Sequence, residues 1–149
     1  MRGLLVLGDL EIAKQLIEKE YLTLCIVKDE HVLFQTSSHG ISGFLNAIHL
    51  LDGRLADASV ADKVVGKAIA LLCLYSKVRA VYGNVMSRGA KSLFEENMVR
   101  IEYDELVDSI LGDCRSGKCP FEALADSISD PEEAYKKLKR LQDSLRQRR

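Results

Sequence analysis

Four short stretches of the chain carry residue types that could bind a ligand or react. The first is Ala61-Asp62-Lys63-Val64-Val65-Gly66-Lys67-Ala68. It opens a run that is apolar from Val64 to Tyr75 apart from Gly66 and Lys67, which predicts a buried central helix with Asp62, Lys63, Gly66 and Lys67 at its mouth. Unpaired backbone N–H groups at a helix start attract anions, and two lysines beside them suit a phosphate. Asp62 in that place would cap the helix. Lys63 opposes the helix dipole, and Gly66 costs about 1 kcal/mol against alanine inside a helix. Neither residue serves helix stability, so tight packing or an approaching ligand must account for them.

The second stretch is Cys119-Pro120-Phe121-Glu122, a thiol at a predicted helix start with Arg115 and Lys118 just before it. Such surroundings favour a thiolate, and Glu122 could serve as its proton partner. Equally, Cys119 could be a structural thiol and Glu122 a support for the first helical turn. The third is Thr36-Ser37-Ser38-His39-Gly40, where Ser38 and Gly40 precede a helix near Ile41. Its hydroxyls and N–H groups could hold an anion, or Ser37 or Ser38 could merely cap that helix. The fourth is Ser87, placed to cap the helix that follows a strand. Cys114 and Cys119 lack Cys-x-x-Cys spacing and have no histidine close by, so no metal site and no cofactor are expected.

These residues need a scaffold, and the composition bounds it. The chain has 149 residues, 47% hydrophobic and 29% charged, enough for one domain spanning residues 1–149 with its own core. A net charge of −1 excludes a general attraction to nucleic acid or membrane. The basic C-terminal run from Lys136 to Arg149 reads as a solvated helix face. No apolar run approaches the roughly 20 residues of a membrane span, and no signal-peptide pattern opens the chain. A cytoplasmic protein with four reduced cysteines is expected.

Periodicity orders the elements. Asp9 should cap a first helix carrying Ile12, Ala13, Leu16 and Ile17 and ending near Glu20. Leu22 to Val27 reads as a strand covered on both faces, joined through Asp29-Glu30 to a second strand from His31 to Gln35. A helix from Ile41 precedes a short strand, Leu55 to Val60, and the central helix. Arg79 to Met86 is a strand, followed by a helix capped by Ser87, a strand from Val99 to Tyr103 and a helical turn from Glu105 to Leu111. A helix begins at Cys119, and Asp130-Pro131 starts a C-terminal helix burying Ala134, Leu138, Leu141 and Leu145. The order implies an α/β fold, a three-layer α/β/α sandwich whose mixed sheet begins with a hairpin. Ligands in such sheets sit beyond the carboxyl ends of the parallel strands, where the loop Ser37 to Gly40, the Asp62 turn and the Ser87 turn should converge.

With Val60 to Ala68, Val81-Tyr82, Ser87, Cys119-Pro120-Phe121-Glu122 and Asp130-Pro131-Glu132-Glu133-Ala134, the chain resembles a small prokaryotic family known only as a domain of unknown function. The resemblance covers roughly residues 20 to 140 and implies a cytidine deaminase-like fold. Deaminases of that fold carry His/Cys-Ala-Glu at the central helix and Pro-Cys-x-x-Cys at the next helix start, binding the zinc that activates water. Here Ala61-Asp62-Lys63 and Ser87-Arg88-Gly89-Ala90 take those places and supply no zinc ligand, which argues against zinc-dependent deamination.

Three functional readings follow. One is a binder of a nucleotide-like or phosphorylated small molecule through Ser38, Gly40, Asp62, Lys63, Gly66, Lys67 and Ser87. Another is a metal-independent enzyme with Cys119 as nucleophile and Glu122 as its partner. An exposed apolar edge would instead make the chain an interaction module or homo-oligomer.

Overall fold

A computed structural model describes residues 8–110 and 119–147. Five strands form one mixed sheet: β1 (Leu24–Lys28), β2 (His31–Thr36), β3 (Ser59–Val65), β4 (Ala80–Ser87) and β5 (Arg100–Val107), in the order β2-β1-β3-β4-β5. The pairs β2–β1 and β1–β3 are antiparallel, and β3–β4 and β4–β5 are parallel. Strand β1 alternates between two cores: Leu24 and Ile26 on one face, Cys25 and Val27 on the other. Its continuous apolar character is thus that of a strand covered on both sides.

Among the described residues, one face is covered by a single helix, α1 (Asp9–Lys19), through Leu10, Ala13 and Ile17. The opposite face carries the main core with α2 (Ser42–Leu51), α3 (Lys67–Ser76), α4 (Arg88–Glu96), α5 (Pro120–Ala125) and α6 (Pro131–Gln147). Helix α3 buries every residue from Ala68 to Cys73, the environment expected of a helix without a polar face. Helix α6 packs across it, stacking Tyr135 on Tyr75 with ring centroids 4.5 Å apart. In α6, Ala134, Leu138 and Gln142 are buried, while Leu141 is half-buried and Leu145 lies at the solvent edge.

Several boundaries differ from the sequence reading. Residues 61–65 belong to β3, so the central helix begins only at Lys67 and Asp62 does not cap it. A strand and a buried helix leave similar apolar runs when abutted, and Gly66 is the break between them. Strand β5 continues through Glu105 to Val107, where a helical turn was expected; Leu111 lies outside the described residues. Neither Ser37 nor Ser38 caps α2, whose N-cap position is Ile41.

Asp9 is the first residue of α1 rather than its cap, and Gly8 holds the cap position. Its carboxylate instead accepts from Asp29 N (2.9 Å) and Glu30 N (2.8 Å), tying α1 to the hairpin. That turn forms without glycine, with Asp29 at φ 51° and Glu30 at φ 68°. The two positive values belong to the hairpin turn that matches strand twist. Among the described residues, no helix is long and apolar enough to cross a membrane.

Candidate functional site

At the mouth of α3 the anion-binding physics is already satisfied from within. Glu122 of α5 is 7% exposed. Its Oε1 accepts from Lys67 N and its Oε2 from Ala68 N, each at 2.8 Å. A carboxylate against the first N–H groups of a helix meets both its hydrogen-bonding need and its dipole. Gly66 makes room for it, because a Cβ there would lie 2.5 Å from the Glu122 Cδ. The Lys67 ammonium donates to Asp126 O at 3.2 Å, tying the end of α5 to the same place. Gly66 therefore answers to packing, and Glu122 serves as the cap that sequence reading sought in Asp62.

The remaining predicted residues are spread along one end of the sheet. Thr36 is level with Leu24, which pairs with Asp62 of β3, so the Ser38–Gly40 loop leaves the sheet at the end where β3 and β4 finish. Ser38 is exposed; its N–H donates to Thr36 Oγ1 (3.1 Å) and its carbonyl accepts from Thr23 Oγ1 (2.6 Å). Gly40 is exposed with φ 79°, a conformation that favours glycine. Ser87 caps α4 as expected, accepting from Ala90 N at 3.1 Å. Cys119 is half-buried at the N-cap of α5 and offers no side-chain cap bond. Cys114, Arg115 and Lys118 lie outside the described residues.

Asp62 points to the α3 side of the sheet. Burial raises its carboxyl from the ordinary 3.8 to about 7, opposed by backbone N–H groups that include Val64 N at 3.2 Å. Burial, with the Asp62 charge added, pushes the Cys73 thiol well up. The Lys63 backbone lies in β3, donating to Thr23 O at 3.0 Å, so the helix-dipole argument does not apply to it. Its side chain serves the other face.

There, beneath α1, a cavity of about 260 Å³ is lined by Lys14, Ile17, Glu18, Tyr21, Lys63, Tyr82 and Asn84. Its floor is a polar network. The Tyr82 hydroxyl donates to Asp104 Oδ2, and Asn84 Nδ2 donates to Tyr82 Oη (2.9 Å) and Asp104 Oδ2 (3.1 Å). Lys14 Nζ is bound to Glu102 Oε1 at 2.7 Å and sits 5.0 Å from the Tyr82 ring centre. Burial, then the Asp104 carboxylate, drives the Tyr82 phenol well above its ordinary range. The Glu102 hydrogen bond holds the Lys14 ammonium above its own. Tyr82 is thus a neutral donor and Lys14 a fixed cation. Lys63 and Glu18, both exposed, make no side-chain hydrogen bond or ion pair among the described residues.

Of the candidate site residues read from the sequence, only Lys63 lines this cavity. The others were missed, although strand spacing contained a signal. Tyr82-x-Asn84 and Glu102-x-Asp104 each place two polar residues on one face, and parallel register sets Tyr82 opposite Glu102. The shared network needed the strands to be recognised as neighbours. Since α3 starts at Lys67, the residues at the two helix starts are Lys67-Ala68-Ile69 and Ser87-Arg88-Gly89-Ala90, none of them His or Cys. Among the described residues no group of three or more His, Cys, Asp or Glu could hold a metal.

No curated protein matches the chain. The crystal structure of a DUF1893 family protein (TM1506) from Thermotoga maritima is similar, with 29% identity and a TM-score of 0.78 over 91% of this chain and 92% of that one. The family model described as "TM1506: Domain of unknown function (DUF1893)" matches residues 12–142, and the chain belongs to that family.

Proposed function

We propose that this protein is a cytidine deaminase-like scaffold that binds a small nucleotide-like or phosphorylated molecule and does not carry out zinc-dependent deamination. The scaffold reading draws on the hairpin-led sheet with three parallel strands and on the helices that follow β3 and β4. The observation that carries the binding reading is the cavity beneath α1, where the unpaired Lys63 ammonium stands beside a polar floor of Tyr82 and Asn84. An anionic group pairs with Lys63. Glu18 and the Asn84 carbonyl accept from hydroxyl or amino groups of the same molecule. At about 260 Å³ the site is smaller than the usual pocket for a drug-sized ligand, so one base or one sugar phosphate is the fitting size.

The mouth of α3 is not the binding place in this reading, because the Glu122 carboxylate stands where a phosphate would. Thermal melts with nucleoside monophosphates and sugar phosphates test the proposal. A ligand at a hundred times its Kd adds about 2.7 kcal/mol to folding stability. That corresponds to a rise of about 5–10 °C for a domain of this size. Lys63→Glu should abolish the rise and Lys67→Ala should keep it. If no phosphate compound shifts the wild-type melt, or Lys63→Glu leaves the shift intact, the reading fails.

A further inference from the structure

The cavity beneath α1 is lined by one acid and one base that no protein group engages. Lys63 reaches it from β3 and Glu18 from the last turn of α1. Both are exposed, and neither side chain makes a hydrogen bond or ion pair among the described residues, with the other or with anything else. Lys14, one turn earlier on α1, differs: Glu102 holds it at 2.7 Å and Glu11 lies 3.9 Å away. Of the two lysines in the lining, Lys63 alone has its charge available, and the acid that shares the cavity with it is available too.

The charge balance limits what Lys63 can hold. Glu18 lines the cavity, and Asp104 and Glu102 stand behind its floor, so these acids outnumber the two lysines. Their field reaches the floor. The Tyr82 phenol is raised by burial first, then by Asp104, and further by the charge of Glu18. A phosphate ester brings a charge of about −1.5 to −2 at neutral pH. Lys63 answers part of it, and the remainder meets Glu18 and Asp104. An ester that also carries an ammonium resolves the conflict, because its cation takes the acid that would repel a bare phosphate.

The neutral groups agree. Asn84 turns its amide nitrogen to Tyr82 Oη (2.9 Å) and Asp104 Oδ2 (3.1 Å), and its carbonyl oxygen has no donor among the described residues. Glu18 and Asn84 thus both line the cavity with acceptor oxygens that nothing supplies. An ammonium has three N–H donors and no acceptor, the complement of that set.

We infer that the ligand of this site is zwitterionic, a small phosphate ester that also carries an ammonium. The phosphate pairs with Lys63, the ammonium donates to the Glu18 carboxylate and the Asn84 carbonyl, and the body rests against Ile17 and Tyr21. The inference rests on the phosphate reading of the same cavity and narrows it to aminated esters.

Calorimetric titration of the full chain with glucosamine 6-phosphate and glucose 6-phosphate tests it, since the two differ only by an ammonium in place of a hydroxyl. At low salt and below the titration of the sugar amine, glucosamine 6-phosphate should bind about three- to tenfold more tightly, the effect of one charge-assisted contact at a partly screened site. Added salt should shrink that ratio. Glu18→Gln should bring the two dissociation constants within about twofold of each other, and Glu18→Lys should make glucose 6-phosphate the tighter ligand. Glu18 is exposed on α1, and glutamine and lysine are both good helix formers, so both variants should fold. Equal binding of the two esters by the wild type would overturn the inference while leaving the phosphate reading in place. So would a preference that survives both Glu18 variants. Binding of neither ester would sink the two readings together.

Discussion

If Gly66 exists to admit the Glu122 carboxylate, the two residues must be strongly coupled in stability. Each Glu122 oxygen accepts a backbone N–H at 2.8 Å, and hydrogen bonds to charged groups are worth about 1.5–3 kcal/mol. Glu122→Ala, which leaves two N–H groups unmet at a largely covered helix start, should cost about 3–5 kcal/mol. Glu122→Gln keeps the shape but turns an N–H toward an N–H, and should cost about 2–4 kcal/mol. Gly66→Ala puts a Cβ 2.5 Å from the Glu122 Cδ, forcing the carboxylate to withdraw, at a cost of about 2–3 kcal/mol.

The double variant separates this account from a general intolerance of change at the site. Once the carboxylate is gone, the backbone of residue 66 (φ −101°, ψ −172°) suits alanine. There Gly66→Ala should gain about 0.4–1 kcal/mol from reduced unfolded-state entropy. The coupling energy is therefore about 3 kcal/mol, far outside the roughly 0.5 kcal/mol within which independent sites add. Urea unfolding of the wild type, the two single variants and the double variant measures it, provided the m-values agree. Additive losses would refute the reasoning, and so would a Gly66→Ala protein as stable as wild type.

Asp62 predicts a pH effect of unusual sign. Its carboxyl titrates near 7 in the folded chain and near 3.8 when unfolded, so the folded state holds the extra proton between those values and stability falls as pH rises through that window. Taken whole, the displacement corresponds to about 4 kcal/mol, and the partial exposure of the side chain should reduce it to about 1–2 kcal/mol. Asp62→Asn should remove that decline between pH 4 and 8, as followed by urea midpoints; an unchanged slope would show that Asp62 is not its source. Thiol labelling should divide the cysteines: Cys25 and Cys73 are fully covered and burial lifts Cys25 to about 11, whereas Cys119 is half-buried. In native protein at pH 8, mass spectrometry of alkylated peptides should find Cys119 modified while Cys25 and Cys73 are protected until denaturant is added. Early modification of Cys25 would contradict the packing under α1.

Local chemistry was legible in the residues themselves. The turn at Asp29-Glu30, the two-sided burial of β1, the Ser87 cap and the α6 start at Asp130-Pro131 follow from propensities and spacings that act within a few residues. The element order likewise implied an α/β sheet led by a hairpin. The break at Gly66 was harder to read, because strand and buried helix bury apolar side chains equally well and differ only in period. What tertiary structure decided is where charge goes. The first N–H groups of α3 demanded an anion, but nothing within reach along the chain said whether it would be a phosphate or a carboxylate 55 residues away. Likewise Lys14 meets Glu102 only because α1 lies across the sheet, 88 positions from its partner. Backbone demands are local and can be read in order; the side chain that satisfies them is chosen by the fold's long-range contacts.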